Sequence, residues 1–176
     1  MFSRLAASGL IATLTMAAAC PVAAQSVSTI TLNGRVTAGT CAPSNPTVDL
    51  DDISAKDMTA TGRIDDSRKP VSIAFTGCSG VTSADLVFGS AADADADVAT
   101  TFKNKATTAA PHTAVWLGHT SCTQPSNDVA PGAKRSYTVS GGTLTVPLCA
   151  AYYKKSTGPV TAGDVKATFN VSITYH

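Results

Sequence analysis

The chain has 176 residues, and its 13 lysine and arginine residues against 12 acidic ones give a formal net charge of only +1. The basic residues are scattered along the sequence, which argues against a nucleic-acid-binding surface. All acidic residues are aspartate. The lack of glutamate and the abundance of threonine and valine argue against long helices and favour strands, and the length allows one domain with a core of its own.

Residues 1–24 have the pattern of a removable signal peptide. Arg4 supplies a positive start, an apolar run extends from Leu5 to Ala19, and the small residues Val22–Ala24 fit the positions before a cleavage site. Cleavage there makes Gln25 the first mature residue and, by removing Arg4, leaves 12 basic residues against 12 acidic ones. The run is too short and wrongly flanked for a membrane-spanning helix, so we expect an exported protein.

Export decides how the cysteines are interpreted. Cys20 leaves with the signal peptide; the alternative is that Ala17–Cys20 serves as a lipobox and that acylated Cys20 anchors the protein to a membrane. An even number of cysteines in an exported chain indicates disulfides, whereas a zinc site would need a C-x-x-C motif or a histidine pair that the sequence lacks. Three pairings of the other four cysteines are open, of which we favour Cys41 with Cys78 and Cys122 with Cys149.

The start of the mature chain alternates between apolar and polar residues. The alternation extends from Gln25 to Val36 and is typical of a strand. One interpretation is an ordinary first strand of the domain, and the other is a segment that projects outward. Gly34 weakens the packing of its own strand and often marks a close approach of two backbones. The residues on the apolar parity are Ser28, Ile30, Leu32, Gly34 and Val36.

The middle of the chain predicts short strands separated by turns. They lie at Val36–Cys41, Thr47–Ile53, Pro70–Cys78, Ala84–Phe88, Ala114–Gly118, Tyr137–Val139 and Leu144–Tyr152. Pro147 cannot donate a hydrogen bond to a neighbouring strand, so we expect the last of these to be bulged or at a sheet edge. About seven or eight strands, with turn signals roughly every ten to fifteen residues, predict an antiparallel two-sheet sandwich.

The final stretch, Asp164 to His176, shows the strictest alternation in the sequence. One parity is polar throughout and the other is apolar, so one face of the strand should be buried and the other wet. We expect no later segment to pair with its free side, and a long apolar edge strand promotes association. We therefore expect another chain to supply the neighbour. The apolar parity comprises Val165, Ala167, Phe169, Val171, Ile173 and Tyr175.

No catalytic or metal-binding motif stands out in the sequence. Asp93, Asp95 and Asp97 resemble the opening of a calcium loop, but the downstream glycine and the bidentate glutamate are missing, and Asn104 takes the last position. We interpret this stretch as a solvated surface loop. The absence of hydrolase, zincin, P-loop and dinucleotide-binding motifs argues against an enzyme, and we predict no metal or cofactor. The three histidines are far apart in the sequence, at His112, His119 and His176.

Together these features resemble the chaperone–usher pilus subunits of the type 1 fimbrial kind, over essentially the whole mature chain. The resemblance rests on T-I-T-L-N-G-R-V before Cys41, on V-S-I-A-F before Cys78, on L-T-V-P-L-C-A-A-Y-Y, and on a final strand with a penultimate tyrosine. Cys41 and Cys78 match the usual disulfide of that family. The pair Cys122 and Cys149 departs from the commonest pattern.

The resemblance implies an immunoglobulin-like fold that lacks its seventh strand, with the final strand bordering the resulting groove. Residues 38–176 would form the pilin domain and residues 25–37 a donor-strand extension. The resemblance also implies partners: a periplasmic chaperone, an outer-membrane usher, and neighbouring subunits in a head-to-tail homopolymer, a fimbria that mediates adhesion at the cell surface. The donor residues inserted into the neighbour would be Ile30, Leu32, Gly34 and Val36.

Two other functions remain open from the sequence. The chain could be a secreted carbohydrate- or surface-binding sandwich with Trp116, Tyr152 and Tyr153 as an aromatic patch, which predicts a stable monomer with a complete sheet. It could also be a minor adaptor subunit of a pilus, since the sequence barely separates adaptor from shaft subunits. The chain is too short for a separate receptor-binding domain before the pilin domain.

Overall fold

The computed structural model describes residues 31, 35, 39–120, 122 and 127–176. By its internal contacts the chain divides into two units, Met1–Arg35 and Val36–His176, of which the second is described at length. The predicted signal peptide and the donor residues Ile30, Leu32, Gly34 and Val36 lie outside the described residues, so the boundaries predicted around them stay predictions. Within the described part, no helix has the length and hydrophobicity that crossing a membrane would need.

The described residues are almost entirely strands and loops. Three single turns of 3-10 helix occur, at Ala55–Asp57, Asp65–Ser67 and Ala91–Asp93. The strands are β1 (Thr40–Pro43), β2 (Gly62–Arg63), β3 (Lys69–Ser79), β4 (Ser83–Phe88), β5 (Phe102–Lys103), β6 (Thr113–His119), β7 (Asn127–Asp128), β8 (Ala133–Thr138), β9 (Leu144–Lys154) and β10 (Val171–Tyr175).

The strands form two antiparallel sheets. The larger sheet has the order β1-β3-β9-β6-β5, with β2 beside β9 and β7 beside β6. The smaller sheet has the order β10-β4-β8. Every pairing between these strands is antiparallel, which confirms the predicted two-sheet sandwich. Strand β10 therefore lies at an edge of the smaller sheet.

The main core takes one parity of side chains from each long strand. In β4, Ala84, Leu86 and Phe88 are fully buried while the residues between them are partly exposed, as expected for a strand with one face on a core. From Ala167 to Tyr175, the odd-numbered side chains pack against this core but stay only half-buried. Other large core residues are Ile73, Phe75, Phe102, Leu117, Val146 and Leu148.

A second, smaller cluster covers the outer face of the larger sheet. Trp116 in β6 is only 2% exposed, yet it packs with Cys149 and Ala151 of β9 rather than with the main core. Its indole Nε1 donates to Asp128 at 2.5 Å, and the Arg63 guanidinium lies over the ring, 4.4 Å from its centroid. This ring is therefore covered, and it offers no exposed surface to a ligand.

The structure contains both disulfides that the sequence favours. Cys41–Cys78 joins β1 to β3, and Cys122–Cys149 fastens the turn after β6 to β9. The bonded cysteines are 37 and 27 residues apart in sequence. Loops of this length correspond to about 3–4 kcal/mol of stabilisation each in the chain-entropy model.

Two sequence predictions about strands in the middle of the chain are wrong. Thr47–Ile53 is irregular, because none of the described strands pairs with it, although Val48 and Leu50 do pack against the core. Pro147 is neither bulged nor at an edge, since it lies inside the larger sheet opposite Ser72.

The position of Pro147 costs no hydrogen bond to β6. Its carbonyl accepts from Thr120 N at 3.1 Å, one residue beyond the end of β6. The nitrogen and carbonyl of a strand residue face the same side, so the missing N–H falls where β6 has already ended.

Candidate functional site, an open groove beside the last strand

The backbone of the last strand bonds to the domain on one side only. Among the described strands, β10 pairs with β4 alone. The hydrogen bonds that bracket this pairing involve even-numbered residues of the last stretch, with Gly89 N donating to Asn170 O at 2.8 Å and His176 N donating to Ser83 O at 2.9 Å. Alternate residues of a strand direct their N–H and C=O groups to opposite sides. The odd-numbered residues of β10 therefore direct theirs away from β4.

The same parity continues upstream of β10. Asp164 N donates to Thr108 O at 2.8 Å, and Lys105 N donates to Lys166 O at 2.7 Å. Even-numbered residues again bond to the domain, and no described strand lies on the other side. The structure thus brings all six predicted residues to one open edge, with half-buried side chains: Val165, Ala167, Phe169, Val171, Ile173 and Tyr175.

Regular strand geometry covers less of this edge than the alternation predicts. The strand was predicted from Asp164, but β10 begins only at Val171. The reason is the neighbour on the bonded side, since β4 ends at Phe88 and the loop after β5 takes its place. The upstream half of the edge is therefore extended chain held by a loop rather than by a strand.

A groove of about 1630 Å³ runs along the open edge. Its opposite rim is the irregular segment between Pro43 and Met58, which contributes Val48 and Leu50. An apolar floor beside a row of unpaired main-chain groups is the surface that an added β-strand fits. The floor takes side chains from both sheets, including Ile73, Phe88, Phe102, Val115, Leu117 and Leu148.

The chain enters the domain at the Tyr175 end of the groove. The Tyr175 hydroxyl donates to Cys41 O at 3.2 Å. Gly39, just before β1, lies so close to the β3–β4 turn that a Cβ added to it would be 2.1 Å from Ser79 O. Thr82 N, in the same turn, donates to His176 O at 2.7 Å. The chain entry, the Cys41–Cys78 disulfide and the end of the open edge therefore lie together.

A cluster around Asp85 has the residue types of a catalytic triad but not its arrangement. Asp85 contacts Lys134 at 2.7 Å, accepts a hydrogen bond from Ser136 and lies 3.1 Å from His176 Nε2. Lys134, Ser136 and His176 together hold the pKa of Asp85 well below its usual range. The carboxylate lies between the hydroxyl and the imidazole, so the imidazole is not placed to take the serine proton as a triad requires.

The other two histidines have separate partners. His112 Nδ1 lies 2.7 Å from Thr157 Oγ1, and the His119 ring centroid is 5.5 Å from that of Tyr137. Burial, together with the charge of Arg135, lowers the pKa of His119. In the part of the chain that the structure describes, the three histidines thus contribute to three different local contacts.

The aspartate triplet is engaged by lysines. Asp93 pairs with Lys105 at 2.6 Å, and Asp95 and Asp97 both pair with Lys155 at 3.0 Å. Hydrogen bonds from Lys105 and Ser90 lower the pKa of Asp93 to about 2. Asp95 is only 6% exposed, so the interpretation of this stretch as a solvated loop is wrong at that residue. The described residues include no His, Cys and Asp group arranged to hold a metal ion.

Sequence reasoning missed two parts of the groove. The alternation at Val48 and Leu50 was interpreted as a strand of the body, although it belongs to the opposite rim. Asn104 was considered only as the last position of a calcium loop and Lys105 carried no prediction, although both bond to the open edge. No local pattern marks either role, because each depends on a segment roughly 60 or more residues away that the fold brings near.

Comparisons with known proteins agree on the type of fold. Residues 30–176 match the family model for fimbrial proteins. The chain is similar to a solved chaperone–usher pilus structure, with a TM-score of 0.61, 19% identity, and 89% of this chain and 100% of that chain covered. It is also similar to the P pilus rod subunit PapA, with a TM-score of 0.59, 19% identity, and 77% and 99% covered.

A third similar structure is the CupB6 tip adhesin from Pseudomonas aeruginosa, with a TM-score of 0.59 and 18% identity. Here the match covers 72% of this chain but only 35% of the adhesin. No curated protein sequence matches the chain. These structural likenesses support the fold, an incomplete immunoglobulin-like sandwich, while the family match spans most of the sequence. The chain belongs to the fimbrial protein family, whose members are structural subunits of pili.

Proposed function

We propose that this chain is a structural pilin that polymerises by donor-strand exchange into a surface fimbria used for adhesion. The observation that supports this most is the open edge from Val165 to Tyr175, whose outward main-chain groups pair with no described strand and lie beside an apolar groove. An inserted strand would satisfy the main-chain groups and bury the groove floor at once. Neither gain is available to an isolated subunit with an empty groove.

The occupant that we propose is residues 25–37 of the next subunit. Its apolar parity, with Ile30, Leu32 and Val36, matches the apolar side chains that line the groove. Burial of each large apolar side chain contributes about 1.5–3 kcal/mol. Gly34 interrupts this row with a residue that has no side chain, which lets the donor backbone approach the groove closely.

The entry point of the chain favours one orientation of the donor. A donor parallel to β10 would leave the groove at the Tyr175 end, where Gly39 also brings the chain into the domain. All connections would then crowd at one end of every subunit. A donor antiparallel to β10 leaves at the Asp164 end, so successive subunits stack head to tail and form an open filament.

The same open edge implies assembly partners before polymerisation. An unfilled groove promotes association, so the exported subunit needs a temporary occupant. A periplasmic chaperone would supply it, and an outer-membrane usher would exchange it for the next subunit's extension. These partners place the subunit in the periplasm and then at the cell surface.

Thermal unfolding of two oxidised proteins tests the proposal. The first is residues 38–176, and the second is the same body with Ser26–Thr37 appended after His176 through a flexible linker. We expect the appended segment to raise the melting temperature by tens of degrees and to yield a monomer, because it fills the groove and satisfies the edge.

The matched control carries Leu32→Asp in the appended segment, which would place a carboxylate on the apolar floor. We expect this control to melt close to the unextended body, since a buried unpaired charge removes the gain. Equal melting temperatures for all three proteins would mean that no groove needs filling, and the polymerisation proposal would then be abandoned.

A further inference from the structure

We infer that Asn104 and Lys105 are positioning residues that hold the upstream half of the open edge in its strand-accepting geometry. The inference rests on the proposed function and assigns a role within it. It concerns residues 164–170, where the edge lies beside a loop rather than beside β4. Something other than a ladder must fix the chain there.

The Asn104 side chain bridges the loop to the edge. Its Oδ1 accepts from Lys166 N at 3.0 Å and from Ala106 N at 3.0 Å. Its Nδ2 donates to Asp164 O at 2.8 Å and to Thr113 Oγ1 at 3.0 Å, so one amide group contacts both the edge and β6. The amide thereby takes the place of the strand that is missing on this side.

Lys105 extends the bridge by one more residue pair. Its backbone N donates to Lys166 O at 2.7 Å, and its Nζ donates to Thr168 O at 2.6 Å. The same ammonium pairs with Asp93 at 2.6 Å, and Asp93 is itself held by Ser90. Neighbouring Phe102 stacks on Phe169 with ring centroids 4.1 Å apart, which holds the groove side of the same segment.

These contacts determine where the main-chain N–H and C=O groups of the odd-numbered edge residues point. Every contact of Asn104 and Lys105 with the edge is made to an even-numbered residue, at positions 164, 166 and 168. With those positions fixed on the loop side, Val165, Ala167 and Phe169 must face the groove. Without them, the backbone bonds of Asp164 to Thr108 and Ala110 direct the upstream half only at its start, while β10 keeps its pairing with β4.

Donor length separates this positioning role from a general role in folding. The test measures the binding of fluorescent peptides to the monomeric, oxidised mature chain, residues 25–176, by anisotropy. The long peptide copies residues 26–37, and the short one copies residues 26–33. In the antiparallel orientation the short peptide contacts mainly β10, and the long peptide also contacts residues 164–170.

We expect Asn104→Ala to weaken the binding of the long peptide about tenfold to a hundredfold, the usual effect of removing one well-made hydrogen-bonding group. The affinity for the short peptide should stay nearly unchanged. Lys105→Met should act in the same direction, and Lys105→Arg should restore part of the loss because it keeps the cation. Lys134→Met is the matched control, since it removes an exposed, paired lysine outside the groove and should bind both peptides like the unmodified chain.

The outcomes distinguish a failure of the proposed function from a failure of the positioning role. If the unmodified chain binds neither peptide, the proposed function fails, and the positioning role fails with it. If the unmodified chain binds both peptides and Asn104→Ala reduces the affinity for both equally, Asn104 contributes only to the stability of the fold. Unchanged binding of the long peptide by Asn104→Ala and Lys105→Met would equally overturn the inference.

Discussion

At the scale of single residues, Gly118 shows how one absent side chain shapes the outer face. Trp116 and Gly118 lie two apart in β6, on the same face of the sheet. A Cβ added at Gly118 would lie 2.1 Å from Trp116 Cη2. The indole cannot easily move aside, because Asp128 holds its Nε1 and Arg63 covers its ring. The Trp116 ring therefore occupies the space that a side chain at position 118 would need.

Gly118→Ala should lower the free energy of unfolding by roughly 1–3 kcal/mol, the usual effect of overpacking a tight site. Urea denaturation of the oxidised protein measures the change. A double-mutant cycle with Trp116→Ala supplies the control, since removal of the ring should make Gly118→Ala nearly neutral. An equal cost in both backgrounds would mean that the ring is not the cause.

At the scale of elements, alternation predicted the long paired strands but not the two-residue strands β2, β5 and β7. Pro70–Cys78 and Leu144–Tyr152 correspond closely to β3 and β9, which pair with each other along most of their length. Thr47–Ile53 alternates equally well but pairs with none of the strands that the structure describes, so it stays irregular. The pattern reports which side chains are buried, and it cannot report whether a backbone neighbour is present. For the same reason, alternation could not predict that the loop after β5 holds the upstream half of the edge.

The two disulfides should contribute similarly to stability but differently to the binding of a donor strand. Replacing either pair with alanine should lower the free energy of unfolding by about 3–4 kcal/mol, because the closed loops are of similar length. Only Cys41→Ala with Cys78→Ala should also weaken the binding of the 26–37 peptide, since Cys41 O accepts the Tyr175 hydroxyl at the end of the groove. Cys149 instead packs with Trp116 in the outer cluster.

Urea denaturation and peptide anisotropy on the two double variants measure both quantities. Each variant is the control for the other. A weaker peptide affinity in the Cys122→Ala, Cys149→Ala variant alone would contradict the assignment of the groove end to Cys41.

At the scale of the whole molecule, the open edge separates bonds within a subunit from bonds between subunits. Even-numbered residues of the last stretch bond to their own domain, and odd-numbered residues are available to a partner. Lys166 N donates to Asn104, whereas Ala167 N faces the groove. Under the proposed function, neighbouring residues would serve folding and assembly separately.

Proline substitutions at these neighbours should have opposite effects, because proline removes the backbone N–H. Ala167→Pro should leave the unfolding of the subunit nearly unchanged and weaken donor binding about tenfold, the equivalent of one hydrogen bond. Lys166→Pro should instead destabilise the subunit itself. Urea denaturation together with peptide anisotropy distinguishes them, and equal destabilisation by both would show that the two parities are not separated.

The length of the open edge also has a mechanical consequence. A donor that lies along the whole edge, antiparallel to it and parallel to the filament axis, is pulled in shear when the filament is stretched. In shear, the contacts from Val165 to Tyr175 resist the force together, whereas peeling from one end would break them one after another. A filament of such subunits would withstand tension without any covalent bond between its members. Its resistance would be lowest against a force directed across the groove, which would peel the donor from the edge.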